Sequence, residues 1–129
     1  MITVKKLCAS AGLLIAVIAS SCSSEAPAIG EAETCGELVD AAFEATVDYR
    51  DSSVSLTSQD FVLLSADAEQ VMEIFRSQVE TADARASEFG CDLGELRGDY
   101  LARVFELPVD SEGGLVALDH AINLGPFRR

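Results

Sequence analysis

The sequence predicts an all-α domain: a small bundle of three to four helices stapled by one disulfide, Cys35–Cys91, behind a signal peptide and a flexible tether. Three observations carry that reading. Apolar residues recur at spacings of three and four along several segments. The helix-capping patterns Thr34-x-x-Glu37 and Asp92-x-x-Glu95 stand at the heads of two of them. No segment requires a sheet. The 129 residues then divide into a signal peptide (1–21), a segment of Cys22 and a flexible tether (22–33) and an acidic helical domain (34–129).

Met1 to Lys6 is a short basic stretch, and Leu7 to Ala19 is an unbroken run of small and apolar residues. A bilayer span needs roughly 18 or more apolar residues, whereas a secretory hydrophobic region is roughly 7–15 long, so length favours a signal peptide. The run closes on Ala19-Ser20-Ser21-Cys22. Small residues before a cysteine, directly after such a run, resemble the lipobox of bacterial lipoproteins. That pattern prefers Leu three positions before the cysteine, where this chain has Ala19. The resemblance implies cleavage between Ser21 and Cys22 and lipidation of Cys22, hence export and anchoring on the extracytoplasmic side of the cell membrane. The alternative is ordinary secretory cleavage at Ala19-x-Ser21 or Ala26-x-Ala28, giving a secreted protein. Ser23 to Glu33 is small, polar and broken by Pro27 and Gly30, and reads as a tether with a reach of roughly 20 Å.

The first helix begins near Thr34. Cys35, Leu38, Val39, Ala42, Thr46 and Tyr49 share one face, and Glu37, Asp40, Glu44, Asp48 and Asp51 share the opposite one. Asp51 to Ser58 reads as a Ser/Thr-rich loop. Gln59 to Leu64 is either a short helix capped by Ser58 or a brief apolar strand. A long helix follows from Ala66 to Phe89, capped by Ser65 and stopped by Gly90. Its seam is Met72, Phe75, Val79, Ala82, Ala86 and Phe89, broadened by Val71 and Ile74. Asp92 opens a helix through Phe105 with Leu93, Leu96, Leu101, Val104 and Phe105 on its apolar side, and Asp99–Arg103 is a favourable i,i+4 pair. Ser111 to Gly114 reads as a turn, and Leu115 to Asn123 as a last short helix.

Cysteine arithmetic supports the same organisation. Cys8 lies in the removed segment, and lipidating Cys22 leaves Cys35 and Cys91 as an even pair in an oxidising compartment. Closing that loop of 56 residues contributes about 4 kcal/mol in the chain-entropy account. From Cys35 onward the layout resembles a loose group of small exported actinobacterial domains. The residues that carry this are Cys35-Gly-Glu-Leu-Val-Asp40 and Thr81-Ala-Asp-Ala-Arg-Ala-Ser-Glu-Phe-Gly-Cys91 followed by Asp92-Leu-Gly-Glu95. The resemblance implies export and a disulfide and supplies no activity.

Charge narrows the function. Nine Lys+Arg face 22 Asp+Glu, a formal charge of −13. Both lysines precede the cleavage site, so the processed chain keeps seven arginines against 22 acids, a charge of −15. Nucleic-acid binding needs a basic footprint and is not expected. The face Glu37, Asp40, Glu44, Asp48 and Asp51 is the candidate interaction surface, for a basic or envelope-protein partner; otherwise it is a solvated helix face. Carboxylates spread along a straight helix diverge, so no metal site is expected there, and Asp110-Ser111-Glu112-Gly113-Gly114 lacks the further ligands of a calcium loop. His120 follows Asp119, but no nucleophile elbow or CxxC accompanies it, and no catalytic residue or cofactor is assigned. Arg97-Gly98-Asp99 spells an adhesion tripeptide inside a predicted helix, which does not present it as a recognition loop. The expected role is a non-enzymatic, membrane-anchored accessory module. The alternative is a carrier holding a small hydrophobic ligand along the Met72–Phe89 seam.

Overall fold

The computed structural model describes residues 27–128. The expectations for the signal peptide, Cys8 and Cys22 lie outside these residues. Within them the chain is all-helical, with no strand. A 3-10 turn at Ile29–Glu31 is followed by α1 (Cys35–Ser52), α2 (Ser58–Leu63), α3 (Ala66–Phe89), α4 (Leu93–Val104) and α5 (Glu112–Leu124). The four longer helices form the bundle, and Gln59–Leu64 resolves in favour of helix.

Local signals set the boundaries. Thr34, Ser65 and Asp92 each accept a hydrogen bond from the backbone N–H three residues on, as N-caps do. Glu37, however, accepts from the Glu33 N–H at 2.8 Å rather than closing a box on Thr34. The complete capping box belongs to Thr57 and Asp60. Thr57, not Ser58, is the cap because it keeps the extended backbone from which a cap side chain folds back. Gly90 ends α3 at φ 68°, the left-handed turn where glycine carries no Cβ penalty.

α1 is the central helix and packs against α3, α4 and α5. It buries Leu38, Val39, Ala41, Ala42, Ala45, Thr46 and Tyr49. α3 runs antiparallel to it: Cys35 is bonded to Cys91 with Cα atoms 5.9 Å apart. Sixteen residues back along α3, Phe75 stacks on Tyr49 at 4.5 Å. α4 crosses α1, with Tyr100 meeting Thr46 and Arg103 reaching back to Asp40. α5 returns from the end of α1 toward the disulfide, where Phe127 is buried against Tyr100 and its N–H donates to Asp83 at 2.7 Å.

Five sequence expectations are corrected. The reach of 23–33 as a tether ends before Ile29, because Ile29 and Ala32 are buried and Arg85 donates to the Ala32 carbonyl. Glu112 to Gly114 is the first turn of α5, not a loop, with Ser111 as its cap. Arg103 pairs with Asp40 at 2.7 Å, and with no Asp99 bridge, because α1 lies within its reach. Ile74 and Phe105, assigned to apolar faces, are 53% and 65% exposed. The buried aromatic residue of α4 is Tyr100 instead, with Leu96 and Val104.

Gly113 is required by close approach. A Cβ there would lie 1.9 Å from the Ser53 carbonyl oxygen and 2.6 Å from that of Leu56. Gly113→Ala should therefore destabilise the domain by about 2 kcal/mol or more. Gly98 has nothing within 4 Å of its would-be Cβ, so Gly98→Ala should stabilise by about 1 kcal/mol. Urea midpoints shifting in the same direction for both would contradict this packing. Replacing Cys35 and Cys91 together by serine should cost about 4 kcal/mol in the same measurement, and non-reducing peptide mapping should recover the two residues as one linked species.

Candidate interaction surfaces and the aromatic cluster

Three of the five carboxylates of the α1 polar face, Glu37, Asp40 and Asp51, have partners in the bundle. Asp40 is paired with Arg103, whose guanidinium also lies 5.7 Å from the centre of the Phe43 ring. Glu37 is occupied by the Glu33 N–H, and Asp51 holds Arg50 at 3.1 Å. Glu44 and Asp48 remain exposed to solvent. Partial burial, reinforced by the charge of Asp51, raises the Asp48 carboxyl above its ordinary value. Asp48 borders a shallow groove of about 100 Å³ shared with Tyr49, Ile74 and Gln78. The predicted face is therefore a broken strip, neutralised at Asp40 and Asp51 and open at its middle. Among the described residues no group of three or more His, Cys, Asp or Glu side chains is placed to hold a metal ion.

His120 sits where α5, α2 and α1 meet. The Tyr49 hydroxyl lies 2.7 Å from its Nδ1, and the Phe61 ring meets it edge-on at 5.6 Å. Burial pushes the Tyr49 phenol up to about 12, so it keeps its proton, and the imidazole tautomer sets which of the two atoms donates. Burial also lowers the His120 pKa, with Asp119 opposing. The ring is thus biased toward its neutral form, stacked on Tyr49 and met edge-on by Phe61. Asp119 is turned to Asn123, which donates to it at 3.1 Å. His120, given no role from the sequence, hydrogen-bonds Tyr49 and so joins α5 to α1.

Arg97 of the Arg-Gly-Asp sequence is engaged by its own domain. Its guanidinium donates to the carbonyls of Ile122 and Pro126, satisfying acceptors freed at the end of α5. The seam of α3 is filled: Phe75 stacks on Tyr49, and Ala82 and Ala86 are fully buried. An open concavity of about 390 Å³ lies beside the disulfide, between Asp83, Ser87, Leu93 and Arg128.

The lowered pKa of His120 fixes a pH dependence. The unfolded chain binds the proton more tightly, so this contribution to stability is complete above pH 6.5 and is lost as pH falls through the depressed folded value. Asp48, with its raised pKa, acts in the opposite sense and at lower pH. Thermal midpoints should therefore fall between roughly pH 7 and 5, and His120→Gln should flatten that fall; an equal slope in the variant would remove His120 as its source. Searches against family models, curated proteins and solved structures find no match to this chain.

Proposed function

We propose that the chain is an exported lipoprotein, anchored through acylated Cys22 on the extracytoplasmic side of the cell membrane, and that its helical domain is a non-enzymatic interaction module for another envelope protein. The bonded pair Cys35–Cys91 carries this reading. A structural disulfide belongs in an oxidising compartment, and pairing these two leaves Cys22 as the odd cysteine of the processed chain. A thiol directly behind a hydrophobic run and small residues is then accounted for by lipidation. The short link from Cys22 to the buried Ile29 supports a domain held close to the bilayer. Among the described residues no helix is long and apolar enough to cross a membrane.

Incorporation of a clickable fatty acid is the direct measurement. Labelling and membrane partition should both be lost in Cys22→Ala while the helical content of the domain is kept. Unchanged labelling in that variant would remove the anchor from the reading.

A further inference from the structure

The large apolar side chains left in solvent are not evenly distributed. Val54 (53% exposed), Val62 (78%), Leu63 (68%) and Leu64 (53%) lie in the α1–α2 loop, on α2 and at its C-cap. Val109 and Leu115 flank the start of α5. These segments form one end of the bundle. Arg50 donates to the Pro108 carbonyl, Ser58 donates to Glu112, and Gly113 lies against Ser53 and Leu56. That end is opposite the disulfide, where the chain enters at Ile29 and leaves at Phe127.

Leu64 adds an independent observation. It occupies the left-handed region at φ 53°, where Gly or Asn is favoured, yet its side chain points to water. That conformation closes α2, with the Leu64 N–H donating to the Asp60 and Phe61 carbonyls, but the exposed leucine side chain itself adds no packing to the folded monomer. The charges around the patch indicate what covers it. Asp67, Glu69 and Asp110 are exposed at the same end, and Asp60 and Glu112 join them. Arg50, the arginine there, is already held by Asp51 and Pro108. A second copy would bring acid against acid, and an anionic bilayer would be repelled in the same way.

We infer that this far end, centred on Val62, Leu63 and Leu64, is the docking surface for a protein partner presenting an apolar anchor flanked by lysine or arginine. The inference rests on the interaction-module reading and gives that module its face. It places the contact away from the five carboxylates of α1 and away from the membrane-proximal end.

The test maps binding on isotope-labelled protein purified in its processed form. The probes are an amphipathic helical peptide of leucine and lysine, its leucine–glutamate counterpart, and phosphatidylglycerol vesicles. The leucine–lysine peptide should shift the amides of residues 62–64 and 115, and its affinity should fall with added salt. The pair Val62→Ser with Leu63→Ser should weaken it at least about tenfold without changing the thermal midpoint or far-ultraviolet spectrum. Shifts confined to Glu44 and Asp48, equal binding of the leucine–glutamate peptide, self-association abolished by the double variant, vesicle binding through the same residues, or no binding by any probe would each overturn the proposal. Fatty-acid labelling at Cys22 is read separately, so a failed anchor and a failed surface are distinguishable.

Discussion

Close approach of helices through alanine is the constraint on which the rest of this structure depends. Ala41, Ala42 and Ala45 on α1, Ala68, Ala82 and Ala86 on α3, and Ala117 and Ala121 on α5 are all buried. Three helices can pack around α1 because its own side chains take up so little room. Glycine extends the same logic at two points. Gly113 lets α5 touch the backbone of the α1–α2 loop, and a Cβ on Gly125 would lie 2.1 Å from the Ala121 carbonyl oxygen. The consequence is energetic. An alanine removes far less apolar surface from water than the 1.5–3 kcal/mol side chains that fill most cores, roughly one methyl against four carbons. A bundle built this way needs other sources of stability, and the covalent link between α1 and the end of α3 is the largest of them.

Buried polar contacts then fix the register that small residues leave underdetermined. Thr46 donates its hydroxyl to the Ala42 carbonyl at 2.9 Å, so the 2.6 Å contact with Tyr100 has the phenol as donor. Both groups are buried, and burial pushes Tyr100 up to about 12 despite the opposing influence of Thr46 and Arg97. A donor so placed is costly to leave unmatched, so α4 can cross α1 in one way. Tyr49 and His120 do the same between α1 and α5.

The parts of the fold that were legible in sequence are those decided locally. The long helix with its serine cap and glycine stop, and the inward face of α1, follow from capping chemistry and periodicity. What stayed hidden was decided by partners distant in sequence. Alanine is at home in any part of a helix, so Ala41 and Ala45 gave no sign of being core. Gly113-Gly114 carries the signature of a turn, yet it is helix because a neighbouring backbone lies where a Cβ would go. Arg103 has a partner on its own helix by spacing, but Asp40 across the interface takes it. The candidate acidic face was visible as a pattern; its division into neutralised and open parts depends on Arg50 and Arg103, which arrive from the side and from another helix. The exposure of Val62, Leu63 and Leu64 was not legible either, since a short helix and a brief apolar strand fit Gln59–Leu64 equally and neither says which side chains face water.

The two ends of the bundle are held by different kinds of interaction, and this governs where the domain opens. At one end the disulfide, the Arg85 bond to Ala32 and the buried Phe127 gather both ends of the described chain into one cross-linked layer. Phe127 is kept there at φ 68° by Asp83 and Tyr100, a backbone strain that persists only where its surroundings are fixed. At the other end, α2 has only six residues and is joined to α5 by the Ser58–Glu112 hydrogen bonds and the Phe61–His120 ring contact, with Gly113 packed on the α1–α2 loop beside it. Local unfolding costs least where buried contacts are fewest and no covalent link limits the excursion. Opening therefore starts at α2 and leaves the disulfide layer intact. The same economy of side-chain volume that draws the long helices together leaves α2 with a single buried aromatic, Phe61, to hold it down, and its remaining apolar residues face outward.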